Sequence, residues 1–165
     1  MGAVAVDQPT CSPMTSVLPL APGKTTTVFN NKFGVDSCAS EHICHDEGMF
    51  STLDYTKFKT FKVVHGETIT SSGVGNVELL VETTQGKQRV LTLRNVHYIP
   101  QQKMSLISVN KAISGQDFDS PDFKHLTWKA EDTYTLKILA TNDVFVLDAS
   151  VRYWSWTKSG VHREH

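Results

Sequence analysis

From Thr60 to Ile99 the sequence is a succession of short β-branched and aromatic runs closed by turn residues, and this rhythm is what most restricts the fold. Residues 60–64 read as a strand, His65-Gly66-Glu67 as a turn, and Thr68-Ile69-Thr70 as the return. Together they predict a β-hairpin with Gly66 near its tip. Gly73 and Gly75 precede a strand over 76–82, residues 83–87 form its loop, and a long strand over 90–99 stops at Pro100. Further short strands follow over 125–129, 134–139 and 144–147. Helical spacing occurs once, where Leu106, Val109, Asn110 and Ile113 share one face of 105–114 and Gly115 suits the position after the last turn. The pattern predicts an all-β protein, a closed β-barrel with one short α-helix.

Upstream of these strands lies the stretch with the densest chemistry, Phe33 to His45. Residues 32–35 read as a short strand that ends by delivering Asp36 into a turn of small residues. A carboxylate held this way faces a cleft while strands keep it still. Taken alone, an Asp-Ser pair is also an ordinary turn opener or helix cap. Cys38, His42, Cys44 and His45 are four potential zinc ligands within eight residues, although their spacing is not that of a standard finger. A nucleophilic Cys38 served by His42 or His45 is a third reading, but such pairs are usually assembled from distant segments.

Composition narrows the partners. A net charge of −1 and the lack of a Lys/Arg run disfavour nucleic acid, and no stretch approaches the ~18 apolar residues of a membrane span. No basic segment precedes an apolar run at the N-terminus, and Val6 breaks the myristoylation pattern that Met1-Gly2 opens. Three cysteines without a secretory signal suggest reduced thiols inside the cell. Residues 1–28, with Pro9, Pro13, Pro19 and Pro22, are expected to be a flexible leader, residues 29–150 the domain, and residues 151–165 a tail.

Five pieces, taken in order, resemble one family. Val35-Asp36-Ser37-Cys38-Ala39-Ser40-Glu41-His42-Ile43 resembles the Asp-Ser-Gly-Ala-Ser-x-His-apolar motif of the aspartic protease in Ty1/copia-type retrotransposon Pol polyproteins. Val64-His65-Gly66-Glu67-Thr68-Ile69, followed by Gly73-Val74-Gly75, is similar to that family's next hairpin. Residues 93–100 resemble its Leu-x-Asn-Val-x-Tyr-apolar-Pro strand, residues 105–109 its Asn-Leu-Leu-Ser-Val helix, and residues 144–148 its closing strand.

The resemblance implies a retropepsin-like barrel that hydrolyses peptide bonds of the Gag-Pol polyprotein. It carries one Asp motif per chain, so it implies a homodimer with Asp36 from each subunit on the axis. Asp36 and Ser37 would be the catalytic pair, and Ala39, Val64, His65, Gly66 and Thr68 would bind the polypeptide substrate beneath a flap formed by residues 60–70. It implies no metal and no cofactor, and a cytoplasmic site of action, within a virus-like particle if the element is active. Cys38 stands where the family has Gly. If that position needs a positive φ, Cys is strained there. The alternative is therefore an inactive or domesticated barrel that dimerises or binds peptides without cutting them.

Overall fold

The computed structural model describes residues 32–63, 66–115, 118–130, 134–141, 144–151, 154–157 and 160–163. The expected leader over 1–28 lies outside them. The strands, in chain order, are β1 (Phe33–Asp36), β2 (Ile43–Cys44), β3 (Phe50–Asp54), β4 (Thr60–Lys62), β5 (Thr68–Thr70), β6 (Gly73–Glu82) and β7 (Gln88–Tyr98). Then come β8 (Ser105–Ser108), β9 (Thr127–Ala130), β10 (Tyr134–Thr141), β11 (Val144–Leu147), β12 (Ala149–Val151), β13 (Trp154–Thr157) and β14 (Gly160–Arg163). The one α-helix among the described residues, α1, covers Val109–Ser114. The expectation of an all-β domain with one short helix holds.

Ten strands form one curled, half-barrel sheet in the order β12-β6-β7-β2-β8-β1-β11-β10-β9, with β3 paired to β6. A bridge between Thr83 and Leu136 joins the end of β6 to β10 across the curl. The period-two pattern of β6 explains its place. Val77, Leu79 and Val81 are buried and alternate with half-buried neighbours, so one face lies on the core and the other is partly wet. Gly75 sits where β3 crosses close. A β-carbon there would fall 1.8 Å from the Thr52 carbonyl oxygen, so only glycine lets the two strands pair.

The helix is shorter than the spacing predicts. Residues 105–108 form β8, parallel to β1 in the register Phe33↔Ser105 to Asp36↔Ser108. All four are buried, because β8 is an interior strand covered on both faces. Ser108 then caps α1, its hydroxyl accepting from the Lys111 N–H at 3.1 Å. The hairpin β4–β5 forms as expected and makes a two-stranded sheet of its own.

Two apolar clusters fill the interior. The larger gathers Phe33, Phe50, Leu79, Trp128 and Leu136. The smaller holds Ala39, Ile43, Phe61, Ile99, Met104, Leu106, Val144 and Val146, with Val63 and Ile69 of the hairpin packed against it. β12 closes the expected domain by pairing with β6 and ends on the first residue of the stretch expected as a tail, which carries the hairpin β13–β14. Among the described residues no helix is long and apolar enough to cross a membrane.

Candidate active site

Asp36 ends β1, between β8 on one side and β11 on the other. The chain leaves the sheet here, and its first free amides turn back onto the carboxylate. The Cys38 N–H donates to Asp36 Oδ1 at 2.7 Å, and the Ala39 N–H adds to the same effect. The carboxyl group is 1 % exposed, and its Oδ2 has no hydrogen-bond partner among the described residues. Burial pushes its pKa up to about 6, against the opposing pull of the two amides.

The turn is fixed from behind by the start of α1. The Ser108 hydroxyl donates to the Ala39 carbonyl oxygen at 2.6 Å, and the Ser108 N–H donates to His42 Nδ1 at 3.0 Å. Asn110 Nδ2 donates to the Ser37 carbonyl oxygen at 3.1 Å. His42 thus acts as a buried acceptor, and burial, with Lys111 nearby, pulls its pKa down to about 3. It serves as a brace for the turn and stays neutral.

Of the residues expected at the site, Asp36, Ser37 and Ala39 share this one turn. Ser37 is exposed and Ala39 is fully buried in the smaller cluster. Gly66 and Thr68 are exposed on the hairpin, and Gly66 has a φ of 84°, which suits glycine at a tip. Val64 and His65 lie outside the described residues. The hairpin approaches the turn through apolar contact, since Phe61, Val63 and Ile69 join the cluster that contains Ala39.

The replacement of Gly by Cys38 is accommodated by the backbone. Among described non-glycine residues only Asn95 and Leu126 have positive φ, so Cys38 is not in the left-handed region and still presents its amide to Asp36. Of the two cysteines among the described residues, Cys38 is disulfide-bonded and Cys44 is a free thiol, so the expectation of reduced thiols holds for Cys44 and fails for Cys38. The four potential zinc ligands do not converge: no group of three or more His, Cys, Asp or Glu suited to a metal occurs among the described residues. His42 is taken by Ser108, Cys44 points its thiol at Met49 Sδ and the Asp46 carbonyl oxygen, and His45 Nδ1 lies 2.8 Å from Ser105 Oγ.

Three participants escaped the sequence reading. Ser108 and Asn110 fall within the stretch of helical spacing, where the serine ahead of Val-Asn-Lys is a legible cap signal. Glu41 gave no local signal, yet it accepts from Lys59 Nζ at 2.6 Å and from Lys111 Nζ, and its Oε2 lies 3.9 Å from His97 Nε2. Burial would push its pKa up, but the hydrogen bonds from Lys111 and Lys59 outweigh it and hold the carboxylate below its ordinary range.

Residues 33–116 match the family model described as Pol polyprotein, beta-barrel domain. No curated protein and no solved structure matches the chain.

Proposed function

The chain belongs to the Pol polyprotein beta-barrel domain family of retrotransposons, and on that premise we propose that it is a copia-type aspartic endopeptidase, active as a homodimer. The observation that carries this reading is the state of Asp36: buried at a strand end, one oxygen held by a turn amide, the other without a partner among the described residues. A buried carboxyl oxygen left unpaired is costly. A second Asp36 across a two-fold axis would complete it once dimer formation uncovers the enclosed oxygen, because two adjacent carboxyl groups share one proton.

In that dyad the ionised carboxylate takes a proton from water as the oxygen attacks the scissile carbonyl carbon. The protonated partner gives its proton to the carbonyl oxygen, forming a tetrahedral diol. Collapse breaks the C–N bond, and a proton passes to the leaving amine. The pair titrates as a unit, so activity is expected to be bell-shaped in pH, on the acid side of neutrality. Ser37 would stand beside the dyad, and the 60–70 hairpin, with Val64, His65, Gly66 and Thr68, would cover an extended substrate peptide. The site of action would be the cytoplasm, with the polyprotein as substrate.

The test is cleavage of the flanking polyprotein by the purified chain. Asp36→Asn should abolish cleavage and leave the sedimentation of the dimer nearly unchanged. Wild-type rate should fall more than proportionally on dilution, and chelators should leave it unchanged. Full activity in Asp36→Asn would end this reading. The barrel that binds without cutting is the second reading, and a wild type with no cleavage that gains it on Cys38→Gly would establish it.

A further inference from the structure

Two positions at which the family motifs accept any residue, Glu41 and His97, come together in this chain. Glu41 lies in the turn that follows Asp36, and His97 lies near the end of β7. Between them stands the stem of the β4–β5 hairpin. Its two strands leave the body at Lys59 and Ser71, which are themselves paired: the Ser71 N–H donates to the Lys59 carbonyl oxygen at 2.9 Å, and the Lys59 N–H donates to Ser71 Oγ at 2.9 Å. Both sides of this stem lead to Glu41. Lys59 reaches Oε1 directly at 2.6 Å. Ser71 Oγ lies 3.2 Å from His97 Nδ1, whose other ring nitrogen faces Glu41 Oε2 at 3.9 Å. Phe61 packs edge-on to the His97 ring at 5.0 Å. On its far side Glu41 holds Lys111 of α1, which also donates to the Asn95 carbonyl oxygen at 3.2 Å.

We propose that Glu41 is a positioning residue, a latch that ties the stem of the hairpin to the Asp36 turn and to α1 through Lys59, His97 and Lys111. The hairpin needs such a tie because, among the described residues, β4 and β5 pair only with each other. Backbone bonding to the large sheet begins just past the stem, where the Ser72 N–H donates to the Tyr98 carbonyl oxygen. Above that point the hairpin is held by Phe61, Val63 and Ile69 and by the Glu41 cluster. The side chain of Glu41 is 16 % exposed and that of Lys111 25 %, so this pair is better shielded than an ordinary surface ion pair, whereas Lys59 stays half in solvent. The latch sets how readily the hairpin lifts. Its consequence for substrate binding rests on the peptidase reading above, whereas the tie itself does not.

Hydrogen exchange of the purified chain separates the two. In Glu41→Gln, which keeps the shape and removes the charge, amides of residues 59–71 should exchange about tenfold faster, while the β6–β7 ladder keeps its wild-type rates. Lys59→Met should do the same, and Lys111→Met, which leaves the Glu41–Lys59 pair, should do so less. Wild-type hairpin rates in both Glu41→Gln and Lys59→Met overturn the proposal, as does an equal rise throughout β6 and β7. With a peptide substrate, Glu41→Gln should raise KM and leave kcat nearly unchanged. An unmoved KM alongside a loosened hairpin overturns the positioning role. A selectively loosened hairpin in a chain that never cleaves keeps the latch and removes the peptidase.

Discussion

Ser108 and Ala39 are 69 positions apart in the chain and are joined by a buried hydrogen bond of 2.6 Å from hydroxyl to carbonyl. The same hydroxyl caps α1, so one oxygen ends a strand, starts a helix and fixes the turn that holds Asp36. Ser108→Ala removes both bonds and leaves the Ala39 carbonyl without that donor. The expected loss is about 2 kcal/mol, from a missing cap and an unsatisfied buried group, read as a lower urea midpoint at unchanged slope.

Asp36 and the buried histidines give opposite pH dependences. Asp36 binds its proton more tightly folded, at about 6, than unfolded, so its contribution is full in acid and is lost as pH rises through 6. His42 and His97 bind theirs less tightly folded, at about 3 and about 4, so their contribution is full above the ordinary histidine value and is lost as pH falls toward those values. Burial is the first cause in all three. Between pH 4 and 6.5 the two trends oppose each other in the wild type. Asp36→Asn removes one of them, so its stability relative to wild type should improve by about 2 kcal/mol from pH 4 to pH 7. Urea titrations across that range, at concentrations where the chain is monomeric, check it.

Gly75→Ala should be among the most damaging single substitutions. The added methyl group meets the backbone of Thr52 and Leu53, which cannot rotate away. Separation of β3 from β6 should cost about 3 kcal/mol or more, seen as loss of soluble protein or of the thermal transition. Gly66→Ala offers a contrast. Nothing lies within 4 Å of the added carbon, so only the strain of its positive φ remains, about 1 kcal/mol.

Cys44 should be chemically silent in the folded chain. Burial pushes its thiol up to about 12, and it is fully enclosed. A thiol reagent at pH 8 should label it only after denaturant is added. Rapid labelling of the native chain would contradict its placement.

What the sequence disclosed depended on whether the cause was local. The β4–β5 hairpin and the β6–β7 pair follow from β-branched runs and glycine-bearing turns and form where those signals put them, although β6 starts at Gly73, three residues before the expected strand. The segment 105–108 is a strand and not helix, because Leu106 and Ile107 are both apolar and both buried. An interior strand covered on two faces loses its alternation, and with Val109 and Ile113 it imitates a helix. Asp36 was legible from the strand before it and the small residues after it. Its supports were not, because Ser108, Asn110 and the partners of Glu41 at 59, 97 and 111 are neighbours only in space.

The parallel pairing of β1 with β8, together with its antiparallel pairing with β11 through Gly34↔Val146, governs when the Asp36 turn can exist. The ribosome makes β1 long before either neighbour. While β6 and β7 zip across a short loop, the Asp36 strand waits for a partner about 70 residues behind it and another about 110 residues behind. Such distant pairings are the late and slow events of folding. During synthesis Asp36 is therefore an ordinary solvated carboxylate, and its unusual chemistry begins only when the end of the domain has left the ribosome and folded back.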